Sequence, residues 1–229
     1  MKKIGIIFAL NDELKETKKI FNSVKKHYIY NLTIFECSNN KVICFLVESG
    51  MGKVNAARCT QILIDKMNVD YILNIGVAGS VLKEINKCDI VIADKLVQHD
   101  YDARPLGFKR AEIPNIGIYI DCDKKLLDIA KKVDIDTKII VGVVASGDIF
   151  VTEKEMGVKI NKKYNALCVE MEGAAIAQVC HLCRIPYLVI RSISDSPYEE
   201  NNNITFEEFL TISANMAAKF IEQFLKRIE

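Results

Sequence analysis

Apolar positions along the chain follow two alternating rhythms. Short runs rich in Val and Ile, at 3–9, 31–37, 41–48, 71–76, 89–98, 138–145, 166–169 and 186–192, read as strands. Longer stretches of helical period, at roughly 12–23, 53–67, 123–132, 153–162, 171–183 and 205–227, read as helices. Strands feeding crossover helices build an α/β fold rather than a sandwich. The pattern therefore predicts one domain over residues 1–229, with a central mixed, largely parallel twisted sheet flanked by helices. Ser38, Asn39 and Asn40 separate the second and third runs with turn-forming side chains, which predicts a hairpin there; the other strands are expected to be mostly parallel. The last helix opens on Thr205-Phe206-Glu207-Glu208, the pattern of a capping box. Residues 99–116, with Pro105, Gly107 and Pro114, form the longest irregular segment, of a length that suits a lid, a binding loop or a subunit contact.

Composition narrows the function classes. Half of the 229 residues are apolar, enough for a chain of this size to bury about 70% of its unfolded surface. The 31 basic and 30 acidic residues leave a net charge of +1, so no broad basic field exists to hold a nucleic-acid backbone. The first apolar run stops at Asn11 and no run approaches the ~20 residues that span a bilayer, so a soluble cytoplasmic protein without membrane partners is expected. The eight cysteines are scattered through apolar stretches and read as reduced, buried thiols. Only Cys180 and Cys183 stand at CxxC spacing, without a second pair, and His27, His99 and His181 are dispersed; neither a metal nor another cofactor is expected.

In open α/β sheets ligands bind outside the carboxyl ends of the strands, so the residues just past each strand carry the functional information. Here they are Asn11, Asp12 and Glu13; Ser49-Gly50-Met51-Gly52; Gly76-Val77-Ala78-Gly79; Ser146-Gly147-Asp148-Ile149-Phe150; Glu170-Met171-Glu172; and Ser194-Asp195. Glu13, Glu170 with Glu172, and Asp195 bring carboxylates from three strand ends to one rim, and two of the six ends carry Phe150 and Met171, which suit a base or a sugar face. The glycines lack the spacing of a nucleotide fingerprint and are compatible with plain tight turns. Asp195 follows a strand apolar enough to be central, and partial desolvation there favours the protonated form that a general acid needs; a helix cap or a partner for Arg191 explains it equally well. Glu170 and Glu172 precede one helix and Asp12 and Glu13 another, positions where a carboxylate stabilises the helix dipole.

Together, Ile4-Gly5-Ile6-Ile7 with Glu13, the block from Glu48 through Ser49-Gly50-Met51-Gly52-Lys53 to Ala57, Asn74 to Gly79, Asp89 to Asp94, Ser146 to Phe150, Val169-Glu170-Met171-Glu172-Gly173-Ala174-Ala175 and Arg191 to Asp195 resemble the bacterial 5'-methylthioadenosine/S-adenosylhomocysteine nucleosidases. The last two blocks mark the wider nucleoside phosphorylase superfamily. The resemblance implies hydrolysis of an N-ribosidic bond, without a cofactor, through an oxocarbenium-like sugar, as inverting glycosidases do. By similarity Asp195 protonates adenine at N7, Glu172 binds the ribose hydroxyls, and Glu13 takes a proton from the co-substrate water. Arg191 positions water and carboxylates, Met171 underlies the sugar, Phe150 stacks on adenine, and the Val151 backbone reads its Watson–Crick edge. Val77, Ala78 and Ser194 stand among the substrate contacts. Met51 and Phe206, with Leu106 and Pro114 from a neighbouring subunit, line the 5'-alkylthio pocket, which implies a homodimer. Val77 replaces a small hydroxyl residue and Leu106 an aromatic common among relatives, which puts one hydrogen bond and the 5'-tail preference in doubt.

Alternatives stay open at this point. A purine nucleoside phosphorylase of the same fold needs cations for phosphate, yet Asn74 and Val77 stand where those enzymes carry an arginine and a serine, and residues 8–16 contain no arginine. A silent nucleoside-binding module would lack Asp195 or Glu13, and both are present. Aminodeoxyfutalosine and 5'-deoxyadenosine present the same adenosine end as the two favoured substrates.

Overall fold

The computed structural model describes residues 1–38, 42–195 and 206–228, with backbone alone for 206–210. In chain order the elements are β1 (Lys2–Phe8), α1 (Asn11–Lys18), β2 (Val24–Ile29), β3 (Leu32–Ser38), β4 (Val42–Glu48), α2 (Lys53–Ile62), β5 (Tyr71–Ser80), β6 (Ile90–Gln98), β7 (Ile120–Asp121), α3 (Lys124–Ala130), β8 (Ile139–Ser146), α4 (Lys154–Tyr164), β9 (Ala166–Glu170), α5 (Gly173–Cys183), β10 (Tyr187–Asp195) and α6 (Phe206–Arg227). A π-helical turn, Leu63–Met67, extends α2 until Asn68 enters the left-handed region at φ 51°.

Sheet order is β10-β6-β8-β9-β5-β1-β4-β3-β2, and β10 also pairs with β5. That second pairing closes part of the sheet into a ring, where the sequence reading assumed an open one. The sheet is mixed: β1 is parallel to β4 and β5, β5 to β10, and β8 to both β6 and β9, while β5–β9 and β6–β10 are antiparallel. The hairpin expected around Ser38 exists, β3 pairing antiparallel with β4 and placing Cys37 opposite Cys44; Asn39 and Asn40 at its tip lie outside the described residues.

Period-two alternation puts opposite faces of each strand into separate cores. Ile4, Ile6 and Phe8 of β1 join Leu14 and the α6 residues Phe220 and Phe224, whereas Ile7 joins Phe45, Val47, Ala174 and Ile176 on the face covered by α2 and α5. A smaller cluster of Val81, Val97, Ala145, Ile160 and Tyr164 seats α4. With both faces covered, β10 is buried from Tyr187 to Ser194, and only Asp195 at its carboxyl end is partly exposed. Among the described residues no helix is long and apolar enough to cross a membrane. All eight cysteines are free thiols, five of them buried.

The elements differ from the sequence expectation at several points: β5 runs on to Ser80, and β2 and the two-residue β7 are additional strands. The first helix stops at Lys18, and Ile20 and Phe21, which continue its apolar period, instead pack on the core from a turn. β2 was unexpected because Val24, Lys25, Lys26 and Tyr28 on this edge strand are exposed, so no buried face marks it. The expected capping box at Thr205 lies outside the described residues.

Candidate active site

A cavity of about 640 Å³ opens at the carboxyl ends of β1, β5, β9 and β10. Glu13, Met51, Val77, Ala78, Phe150, Val151, Met171, Glu172, Arg191, Ser194 and Asp195 all line it, so the structure brings these eleven expected site residues together. Phe206 lies at the start of α6, its side chain outside the described residues. Leu106, 79% exposed in a short 3-10 turn, and Pro114 do not line the cavity of their own chain.

Glu13 gains its place from the start of α1, where its carboxylate accepts the Leu10 N–H at 3.0 Å and the Val77 N–H at 3.0 Å. It both caps the helix and faces the cavity. Burial raises its pKa, against the opposing pull of the Leu10 N–H, Arg191 and the Val77 N–H. Position 77 reaches Glu13 through its backbone, whatever side chain it carries.

Arg191 is 1% exposed. Its Nη2 donates to Asn74 Oδ1 and to Glu170 Oε2, and Asn74 Nδ2 donates to the Ile7 carbonyl at 3.0 Å. Burial opposes its charge, but Glu170 and then Glu172 outweigh that and raise its pKa. Asp195 is therefore not the partner of Arg191; that role falls to Glu170. Glu170 also accepts the Glu172 and Gly173 N–H groups at 3.1 and 2.7 Å and the Ser146 hydroxyl, so its dipole-capping role at α5 is realised. Glu172, 6% exposed, accepts the Gly52 N–H at 2.8 Å. Burial first, then the Glu170 charge, pushes its pKa up to about 7, with Arg191 and the Gly52 N–H opposing. Ser194 Oγ donates to Asp195 Oδ1 at 2.7 Å.

The glycine pair after the fourth run, Gly76 and Gly79, is not the tight turn that its spacing allowed. β5 continues through both glycines, and a Cβ at Gly76 would stand 3.0 Å from Glu13 Oε1, one at Gly79 2.9 Å from Asp195 Oδ2. They make room for two carboxylates. Gly76 also faces Arg191 Nη1, 3.3 Å from such a Cβ.

Sequence reasoning placed neither Asn74 nor Thr211 among the site residues, and both line the cavity. Asn74 could be found only once Arg191 was known to be buried and in need of a partner. Thr211 is one turn into α6, a helix whose apolar period advertises packing alone. Among the described residues, no group of three or more His, Cys, Asp or Glu is placed to hold a metal ion, and Arg191 is the only cation lining the cavity.

The family profile of the phosphorylase superfamily matches residues 3–226. A 5'-methylthioadenosine/S-adenosylhomocysteine nucleosidase of Buchnera aphidicola subsp. Schizaphis graminum is 35% identical over 231 residues, covering 99% of this chain and 97% of the relative. The crystal structure of the Helicobacter pylori 5'-methylthioadenosine/S-adenosylhomocysteine nucleosidase with butyl-thio-DADMe-Immucillin-A superposes with a TM-score of 0.93 at 32% identity, covering 100% of this chain and 99% of that one. A native structure described as futalosine hydrolase of Helicobacter pylori also reaches 0.93 at 32% identity, over 99% of this chain and 98% of that one.

Proposed function

The chain belongs to the phosphorylase superfamily, and from that premise we propose that its cavity hydrolyses the N-ribosidic bond of 5'-methylthioadenosine and S-adenosylhomocysteine, releasing adenine. The observation that carries this reading is the charge of the site. Three buried carboxylates, Glu13, Glu170 and Glu172, face one cation, Arg191, whose Nη2 is already held by Asn74 and Glu170. A phosphate dianion entering there would meet net negative charge, whereas water needs a base and no cation.

In the proposed mechanism Glu13 is the base. Burial raises its proton affinity, which favours it as the group that takes a proton from water. Glu172, oriented by the Gly52 N–H, accepts from the ribose hydroxyls, and Asp195, oriented by Ser194, gives a proton to N7 as the bond breaks. Arg191 fixes Glu170 and the charge balance rather than touching the base. Phe150 and Met51, 64% and 61% exposed at the mouth, offer apolar surface to adenine and to the 5'-alkylthio tail. Phe206 serves the same tail in this reading.

Assembly is part of the proposal. Met51, Val54, Leu106, Ile149 and Phe150 are apolar and 42–79% exposed, Leu106 most of all. Exposed apolar surface of this kind, with Met51, Ile149 and Phe150 lining the cavity, supports a homodimer in which Leu106 and Pro114 complete the neighbour's pocket.

Release of adenine from both nucleosides in phosphate-free buffer, with free methylthioribose as the sugar product, is the expected result. Strict dependence on added phosphate, or a sugar 1-phosphate, contradicts it. The likeness to the Helicobacter pylori protein described as futalosine hydrolase supports a second substrate with the same adenosine end, and aminodeoxyfutalosine in the same assay tests it.

A further inference from the structure

Three loops that leave the ends of β4, β6 and β8 are laced together beside the cavity. Lys53 Nζ donates to Asp100 Oδ1 at 2.8 Å and to Gln98 Oε1 at 3.3 Å. The Lys53 N–H donates to Asp148 Oδ1 at 2.8 Å, and the Asp148 N–H to Asp100 Oδ2 at 2.9 Å. Each of the two carboxylates thus bridges two loops. Gln98 Nε2 continues the lacing to Gln178 Oε1 of α5 at 2.7 Å. The Lys53 and Asp100 side chains are only 18% and 16% exposed, so the ion pair is less screened than a surface pair. Burial would raise the Asp100 carboxyl, but the Lys53 ammonium and the Asp148 N–H together hold it below the ordinary value.

None of Lys53, Asp100 and Asp148 lines the cavity, yet the loops of Lys53 and Asp148 carry residues that do, and Asp100 ties those two loops together. Met51 and Gly52 precede Lys53, with the Gly52 N–H on Glu172; Ile149 and Phe150 follow Asp148. Gly52 sits at φ +93°, and a Cβ there would stand 3.1 Å from Asp148 Oδ1, so this turn accepts only glycine beside the lacing. The whole set therefore fixes the donor that orients Glu172 and the segment that bears Phe150.

We infer that Lys53, Asp100 and Asp148 are positioning residues, a clasp that holds the Gly52 N–H on Glu172 and the Phe150 segment against the adenine. The inference rests on the nucleoside reading above. Around Glu172 stand Glu170 of β9, Arg191 of β10 and Glu13 of α1. His99 and Asp100 lie on the clasp side, against Gly147. If the clasp loosens, Glu172 loses the one backbone donor that favours its ionised form. Its pKa then rises further above about 7, and the acid limb of kcat/KM moves to higher pH.

Lys53→Met, Lys53→Arg and Asp100→Asn are compared with wild type for kcat/KM across pH, for thermal midpoint, and for calorimetric affinity towards the non-cleavable 7-deaza analogue of methylthioadenosine. Lys53→Met and Asp100→Asn should lower kcat/KM about 10–100-fold, the effect of roughly 1 Å of misplacement, and move the acid limb up by about half a pH unit or more. The same two variants should bind the analogue about tenfold more weakly, and Lys53→Arg, which keeps the cation, should recover most of both losses. A clasp that only stabilises the loops would move the midpoint alone. Unchanged pH profiles with kcat/KM within about threefold of wild type overturn the inference, and Asp100→Asn, nearly isosteric, decides it if Lys53→Met does not fold. A wild type that binds the analogue but cleaves no nucleoside refutes the hydrolase reading instead, and the affinities of the variants then judge the clasp by the same tenfold criterion.

Discussion

Asp195→Asn is expected to lower turnover on methylthioadenosine by about 10³–10⁴-fold while leaving ligand affinity and thermal midpoint close to wild type. Asparagine preserves the shape of the side chain and can still accept the Ser194 hydroxyl now seen at 2.7 Å. It can hydrogen-bond adenine, but it has no carboxylic proton to give. The adenine anion is a poor leaving group, so the loss should fall on kcat, at the upper end of what general acid catalysis supplies. A structural aspartate at a helix start would behave differently: asparagine caps equally well, so its replacement should cost little stability and almost no rate. Arg191 binds Glu170 rather than Asp195, and Gly79 leaves open the space against which the Asp195 carboxylate rests. These contacts support a carboxylate kept for chemistry. Turnover within about tenfold of wild type would remove Asp195 from the role of acid.

The second large effect concerns stability. Arg191→Met should lower the thermal midpoint at pH 8 by about 10 °C, because breaking a buried ion pair by removing one partner costs about 3–5 kcal/mol and a chain of this length loses about 2–4 °C per kcal/mol. Arg191 and Glu170 side chains are 1% and 2% exposed, so water cannot replace the lost partner. Glu13 and Glu172, raised already by burial, lose an opposing cation as well. The pH dependence follows from the sign of those shifts. A carboxylate whose folded pKa lies above its unfolded value adds stability when protonated, an effect lost as pH rises through the folded pKa. The deficit of Arg191→Met should therefore shrink when melting is measured at pH 5.5 instead of pH 8. A midpoint within about 2 °C of wild type at pH 8 would mean that the cluster is not held by Arg191.

The residues that the sequence exposed most clearly were those whose chemistry and position coincide. Glu13, Glu172 and Asp195 stand just past strands, and strand ends are where this class of sheet gathers its ligand contacts, so periodicity alone led to one rim. Buried strands were equally legible, since both faces of β1, β5 and β10 demand apolar side chains. What stayed hidden depends on contacts far apart in the chain. The closure of β10 onto β5 as well as β6 is a matter of pairing, which no local pattern encodes. β2 lies at an edge with most of its side chains in water, so its alternation has no apolar face to display. Gly76 and Gly79 looked like turn residues because the side chains they accommodate, 63 and 116 positions away, are visible only in three dimensions. Asn74 and Lys53 share that property: an amide and an ammonium are unremarkable in a sequence until a buried guanidinium and two carboxylates are placed beside them.

In the proposed reaction water, activated on the Glu13 side, displaces adenine protonated on the Asp195 side. One incubation of wild-type enzyme with methylthioadenosine in phosphate-free ¹⁸O-water tests it, with the sugar followed by NMR in the first minutes and by mass spectrometry at the end. The expected product is methylthioribose carrying a single ¹⁸O at C1 and formed first as the α anomer, inverted from the β-nucleoside. A sugar formed first as the β anomer, or no turnover until phosphate is added, would contradict it.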